Sequence, residues 1–176
     1  MAFGRTARRH GQRVTVVRVA SPYNPPLAIP KVILAAVSFS AASRVALGLA
    51  AFLTQQYGAE LCVLHVEDPL LLAAADYLGF DLLMETREQL NYFIAEAWPA
   101  AVGLPVTYVL AGPAVDVILD VAHQSRADLV VVGEGDMSGA ERLVFESTAD
   151  RLLKRAGLPV LVAPAAWQPP DAVEGD

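Results

Sequence analysis

From Pro30 onward, short apolar runs alternate with longer stretches in which apolar residues recur every three or four positions. This is the pattern of strands joined by helices, and it predicts a parallel α/β sheet. Val32 to Val37 is unbroken apolar sequence, as a strand covered on both faces requires. Ser38 or Ser40 can cap the helix that follows, where Val45, Leu49, Phe52 and Leu53 fall on one stripe and Gly58 supplies the stop. Glu60 to Val66 reads as a second strand. Asp68-Pro69 then opens a long connection, followed by a helix marked by Leu82, Leu83, Leu90, Phe93, Ile94 and Ala97 that must end near Trp98, because Pro99 follows. Val106 to Leu110, Asp128 to Val132 and Pro159 to Ala163 supply three more strands. Between them lie a helix with Val115, Ile118, Leu119 and Ala122 on one face, and a second through Ala149, Leu152 and Leu153 that closes at Gly157.

Residues 1–29 stand outside this alternation as an amino-terminal extension. Thr15 to Ala20 can form an extra strand, with Pro25, Pro26 and Pro30 as a stiff linker into the domain at 30–165. Val14, Val16, Val17 and Val19 on an extended segment are an aggregation hazard in solvent, so docking on the edge of the last strand is one reading, within one chain or by exchange between two. The other is a disordered start. Residues 166–176, proline-bearing and acidic, read as a flexible tail that is loose from Trp167.

Composition narrows the partners. The 176 residues are 55% hydrophobic and 18% charged with net charge −6, enough for one domain with a substantial core. No broad basic footprint exists for nucleic acid or an anionic membrane. The basic start, Arg5 to Arg13, is not followed by an uninterrupted apolar segment before Arg18, so it does not read as a signal peptide. The most membrane-like stretch, Val32 to Leu53, is broken by Ser38, Ser40, Ser43 and Arg44 and reads as strand then helix. One cysteine, Cys62, excludes an internal disulfide and makes a reducing cytoplasm the default; inside Leu61-Cys62-Val63-Leu64 it reads as a small buried hydrophobe.

In a doubly wound sheet the ligand site lies beyond the carboxyl ends of the strands, which selects the turns after Val37, Val66 and Val132. The last of these reads Gly133-Glu134-Gly135-Asp136-Met137-Ser138-Gly139, with Ser147-Thr148 before the closing helix. Glycines and hydroxyls at a helix start can cradle phosphate through free backbone N–H groups. The spacing is not a dinucleotide fingerprint, no Walker lysine follows a glycine, and no nucleophile elbow is present. His10, His65 and His123 lack metal-ligand spacing. Catalytic residues and a metal site are therefore not expected.

From about Lys31 to Pro164 the chain resembles a universal stress protein domain. The residues that carry the likeness are Ala36-Val37-Ser38-Phe39-Ser40, Tyr57-Gly58-Ala59-Glu60-Leu61 leading into Leu64-His65-Val66, Ala111-Gly112-Pro113-Ala114, Ala127-Asp128 into Val130-Val131-Val132-Gly133, Ser138-Gly139, Ser147-Thr148 and Leu158-Pro159-Val160. The resemblance implies a five-stranded parallel sheet of order 3-2-1-4-5 with helices on both faces. It also implies a homodimer through antiparallel pairing of the last strand, Pro159 to Ala163, across a two-fold axis. Members of that family that bind ATP carry G-x2-G-x9-G-[ST] after the fourth strand and an aspartate at the end of the first. On this chain the first glycine is Gly133 and the final hydroxyl is Ser147, but the other two glycines become Asp136 and Glu146, and the aspartate becomes Ser38. Each added carboxylate about 4 Å from a phosphate costs about 1 kcal/mol in water and about 4 in a partly shielded cleft.

The resemblance thus implies a cytoplasmic, homodimeric interaction or signalling module without catalytic residues or cofactor. Its unknown partner would be a protein. Gly133, Gly135, Ser138, Gly139, Ser147, Val66 and Ser38 would form a vestigial or weak nucleotide site. The alternative is an ATP- or AMP-binding stress sensor, with magnesium bridging the carboxylates to phosphate and at most slow hydrolysis. An enzyme of the related adenine-nucleotide alpha-hydrolase type has no supporting motif.

Overall fold

The apolar runs form strands where both faces are covered, and the helices take the positions that cover them. The computed structural model describes residues 4–9, 12–17, 29–97, 104–135 and 147–168, with backbone alone for the first two segments. Its strands are β1 (Gly4–Arg9), β2 (Gln12–Val17), β3 (Val32–Val37), β4 (Glu60–Glu67), β5 (Val106–Ala111), β6 (Leu129–Gly133) and β7 (Val160–Ala163). Its helices are α1 (Ala41–Tyr57), α2 (Pro69–Tyr77), α3 (Leu82–Ala97), α4 (Ala114–Gln124) and α5 (Thr148–Arg155). One sheet runs β1-β2-β7-β6-β3-β4-β5. Its five strands from β7 to β5 are all parallel, the 3-2-1-4-5 order expected from the resemblance.

Alternation along the strands splits the core in two. Ile33, Ala35, Val37, Val63 and Val131 point to one face, where α1 and α3 cover them with Leu47, Ala50, Leu90 and Phe93. Leu34, Leu64, Val130, Val132 and Val160 point to the other, under Val115, Ile118 and Ala122 of α4 and Leu152 of α5. The Asp128 carboxylate pins the starts of β3 and β6 together, accepting the Lys31 N–H at 2.8 Å and the Val32 N–H at 3.1 Å.

Ser40 is the cap of α1, accepting the Ser43 N–H, and Gly58 ends the helix in the left-handed conformation at φ +62°. The buried stripe of α1 is richer in small residues than expected. Ala42, Ala46, Leu49 and Ala50 are buried while Val45, Phe52 and Leu53 are only partly so, because small side chains let α1 lie close on β3 and β6.

Four expectations need correction or relocation. The long connection after Asp68 is a helix, α2: Asp68 accepts the Leu70 N–H and Pro69 occupies its first turn, a strong start signal. The extra strand begins earlier than Thr15: Gln12–Val17 is a strand and half of an antiparallel hairpin with β1; residues 18–28, with the rest of the expected Thr15–Ala20 strand and the linker prolines Pro25 and Pro26, lie outside the described residues. Trp167 is not loose: its ring lies 6.1 Å from that of Phe52 and its backbone N–H donates to the Pro164 carbonyl, while residues 169–176 lie outside the described residues. The last strand is the edge of the parallel set but not of the sheet. β2 of the same chain pairs antiparallel along its outer side, Val16 with Leu161 and Val17 with Val160, so the side that the expected two-fold pairing would use is engaged.

Cys62 is buried as expected, at 5% exposure. Burial pushes its thiol upward, and the charge of Glu60 adds to this. A thiol-labelling reagent at about pH 8 should leave the native protein unmodified and react only after denaturation, since the thiolate is the reactive form; prompt labelling of native protein would show that β4 opens readily.

Candidate functional site

The chain leaves β3 toward β4 on one side and β6 toward β7 on the other, so strand order reverses between β3 and β6. A cleft of about 270 Å³ opens at the carboxyl ends of these two strands, where a reversal of this kind leaves room for a ligand. Its floor is apolar, made by Ala36, Leu64, Val66 and Val132 with Ile118 of α4 behind. Ser38, Ser40 and Ser43 form one rim at the start of α1; Gly133, Gly135, Ser147 and Thr148 form the other at the start of α5. None of the sixteen described lining residues is charged.

Of the residues singled out in the sequence, Ser38, Val66, Gly133, Gly135 and Ser147 meet around this cleft. Ser138 and Gly139 lie outside the described residues, as do Asp136 and Glu146. Thr148, singled out beside Ser147 as a helix-start hydroxyl, lines it too, whereas Ser40 and Ser43 were not anticipated as lining residues. Ser40 and Ser43, at the start of a predicted helix, carried a readable signal, because a capping serine three residues before another serine places both hydroxyls at one end of the helix.

The serine rim is internally bonded. The Ser38 N–H donates to Ser43 Oγ at 2.9 Å, the Ser38 and Ser43 hydroxyls share a hydrogen bond at 3.0 Å, and the Ser43 N–H donates to Ser40 Oγ at 3.2 Å. Between them Phe39 holds φ +59°, a conformation that costs a residue with a side chain about 1–2 kcal/mol. Its ring offsets this by stacking on His65 at 4.3 Å and meeting the Phe93 edge at 5.6 Å. The turn is therefore fixed from below.

Beneath it lies a buried polar group. His65 and Glu67 are each 8% exposed and Thr86 is 2% exposed. His65 Nδ1 lies 2.9 Å from the Val37 carbonyl, which only accepts, so Nδ1 is the donor. Nε2 faces Glu67 Oε1 at 3.4 Å, and the Thr86 hydroxyl donates to the same oxygen at 2.5 Å. Farther out, Arg44 covers the Phe93 ring at 4.9 Å and bonds Glu96, which holds that carboxyl below its usual range.

The two glycines differ. A Cβ on Gly133 would meet the carbonyl carbon and oxygen of Ala42 at 2.6 Å, so close approach of β6 to α1 accounts for that glycine without a ligand. At Gly135 a Cβ would find Ser147 at an ordinary 3.8 Å. Ser147 caps α5 in a reciprocal box with Asp150, its Oγ accepting the Asp150 N–H at 3.1 Å while the Asp150 carboxylate accepts from the Ser147 N–H at 3.2 Å. Among the described residues no cluster of His, Cys, Asp and Glu could hold a metal ion, and no helix is long and apolar enough to cross a membrane.

The family model described as "Universal stress protein family" matches residues 29–164, more than three quarters of the chain. The chain belongs to the universal stress protein family. A universal stress protein of Thermus aquaticus is 31% identical over 138 residues, covering 75% of this chain and 97% of its own. Universal stress protein MJ0531 of Methanocaldococcus jannaschii is 36% identical over 69 residues; that match spans only 39% of either chain. Among solved structures, the universal stress protein UspA of Lactobacillus plantarum has a TM-score of 0.62 at 23% identity, covering 76% of this chain and 97% of its own. A universal stress protein solved in complex with cAMP has a TM-score of 0.57 at 20% identity, covering 78% of this chain and 98% of its own. At these identities the structural likeness establishes the universal stress protein fold.

Proposed function

We propose that this universal stress protein is a non-catalytic, homodimeric interaction or signalling module of the cytoplasm, whose cleft does not hold ATP in the way usual for the family. The observation that carries the reading is the serine rim. The position matching the family's aspartate is Ser38, whose N–H and hydroxyl are both bonded to Ser43. A neutral hydroxyl already engaged offers a base much less than a carboxylate acceptor does. In sequence, between Gly135 and Ser147 of the opposite rim, Asp136 and Glu146 stand where the motif has glycines and add negative charge to that loop.

The second reading, an ATP- or AMP-binding sensor with at most slow hydrolysis, is favoured by one specific feature. The amino termini of α1 and α5 both open on the cleft, and helix starts attract anions. The fold neighbour solved with cAMP is in keeping with that reading. In it Gly133, Gly135, Ser138, Gly139 and Ser147 hold phosphate, with Val66 against the base.

Calorimetry with Mg-ATP decides between them. The expected result is no binding tighter than about 10 μM, which corresponds to roughly 7 kcal/mol; a tighter constant, or adenine nucleotide released into the supernatant on heat denaturation, overturns the proposal. If the carboxylates are the cause, Asp136→Gly combined with Glu146→Gly should strengthen binding. No gain in the double variant would move the cause to Ser38.

A further inference from the structure

We infer that His65 is a pH-sensitive latch for the cleft. Protonated, it holds the serine rim in the arrangement described above; as the pH rises and that proton is lost, it lets the rim loosen. The latch acts on the shape of the rim and is independent of which ligand the cleft takes.

One ring nitrogen is already committed. Nδ1 donates to the Val37 carbonyl, so a neutral imidazole carries its single proton there and leaves Nε2 with a bare lone pair. That lone pair faces Glu67 Oε1 at 3.4 Å, and an ionised carboxylate oxygen only accepts. Thr86 supplies a proton to the same oxygen and none to the nitrogen. Two acceptors are thus opposed inside the protein, where a low local dielectric sharpens their repulsion. A second proton on the imidazole turns the opposition into a charge-assisted contact. Histidine is the side chain whose change of charge falls in the physiological range, so the two states are both within reach.

The same proton acts on Phe39. Its ring stacks on His65 with the two planes 24° from parallel, and a cation over an aromatic face is attracted by the ring's quadrupole. Phe39 depends on that hold, because a positive φ persists in a residue with a side chain only where the surroundings impose it. It stands between Ser38 and Ser40, so a change at its ring passes to the bonds from Ser38 to Ser43 that build the rim. His65 is therefore a positioning residue that acts through Phe39. The charged groups flanking the pair are engaged elsewhere: Arg44 of α1 and Glu96 of α3 bond each other, and the Asp68 carboxylate accepts the Leu70 N–H. Glu85 and Arg87, on either side of Thr86, are exposed to solvent. From the neighbouring strands β3 brings the Val37 carbonyl and β5 brings Val109, the register partner of His65.

The test is nuclear magnetic resonance on the full-length chain, following the His65 imidazole and the backbone amides from Ser38 to Ser43 between about pH 5 and pH 8. The expected result is that the rim amides shift with the same midpoint as His65, and that His123→Gln, which removes an exposed histidine, leaves this transition in place. Glu67→Gln removes the opposition, because an amide can donate to the neutral nitrogen. In that variant the rim should lose its pH dependence and keep its acidic-side arrangement throughout. Phe39→Leu should leave His65 titrating and uncouple the rim from it. A wild-type rim that stays fixed while His65 titrates overturns the latch, as does a His65 that keeps one protonation state across the range. An unchanged rim transition in Glu67→Gln, or a rim that still follows His65 in Phe39→Leu, overturns it as well.

Discussion

Replacing Glu67 by alanine lowers the free energy of unfolding by about 1.5 to 3 kcal/mol, the worth of a buried hydrogen bond to a charged group. The loss has two parts. The Thr86 hydroxyl, 2% exposed, loses a bond to a carboxylate, and His65 Nε2 loses the carboxylate oxygen that faces it at 3.4 Å. Glu67→Gln should cost far less, under about 1.5 kcal/mol, because an amide keeps the size, accepts from Thr86 and donates to the imidazole. Urea unfolding followed by tryptophan fluorescence measures both. Equal losses in the two variants would mean that packing rather than hydrogen bonding sets the cost. Because Phe39 stacks on His65 and carries the turn from Ser38 to Ser40, the alanine variant should also loosen the serine rim.

Gly133→Ala has the second-largest expected effect. Its Cβ would lie 2.6 Å from backbone atoms of Ala42, and neither β6 nor the first turn of α1 can yield by moving a side chain aside. Overpacking of this kind costs about 1–3 kcal/mol, and a chain of this size loses about 2–4 °C in melting temperature per kcal/mol. The measurement separates two roles for one residue. A fall in the melting temperature of ligand-free protein marks a packing glycine. An unchanged melting temperature would return Gly133 to the role of a phosphate-approach residue.

The centre of the parallel sheet was legible because β3, β4 and β6 are buried on both faces, and a continuous apolar run as short as Val32 to Val37, closed by a serine turn, suits a covered strand better than a helix. The caps Ser40 and Gly58 were legible because capping is a local matter of a few neighbouring residues. α2 was not: Pro69-Leu70-Leu71-Leu72-Ala73-Ala74-Ala75 is apolar on every side, so it has no periodicity from which a helix could be inferred. The pairing of His65 with Glu67 follows from their i, i+2 spacing on one strand, but Thr86 was invisible because only the fold brings it to Glu67. Gly133 was visible for a reason the fold revises, since a loop glycine after a strand reads equally as ligand approach or as close packing until its neighbour is known. Ser38, Val66, Gly135 and Ser147 could be grouped in advance because the topology sends every carboxyl-terminal turn to one end of the sheet.

The hairpin on β7 also orders events during synthesis. β2 pairs with the last strand of the sheet, so the segment from Gly4 to Val17 leaves the ribosome long before its docking site exists. Contacts this distant along the chain form late, after the intervening elements have closed the loop between them. The five parallel strands must therefore assemble while the hairpin waits, and the hairpin joins as a separate, less protected unit. In amide hydrogen exchange, β1 and β2 should open at a fraction of the free energy that guards β3 and β6. In a cell, that makes the hairpin an early point of attack for a protease or a chaperone.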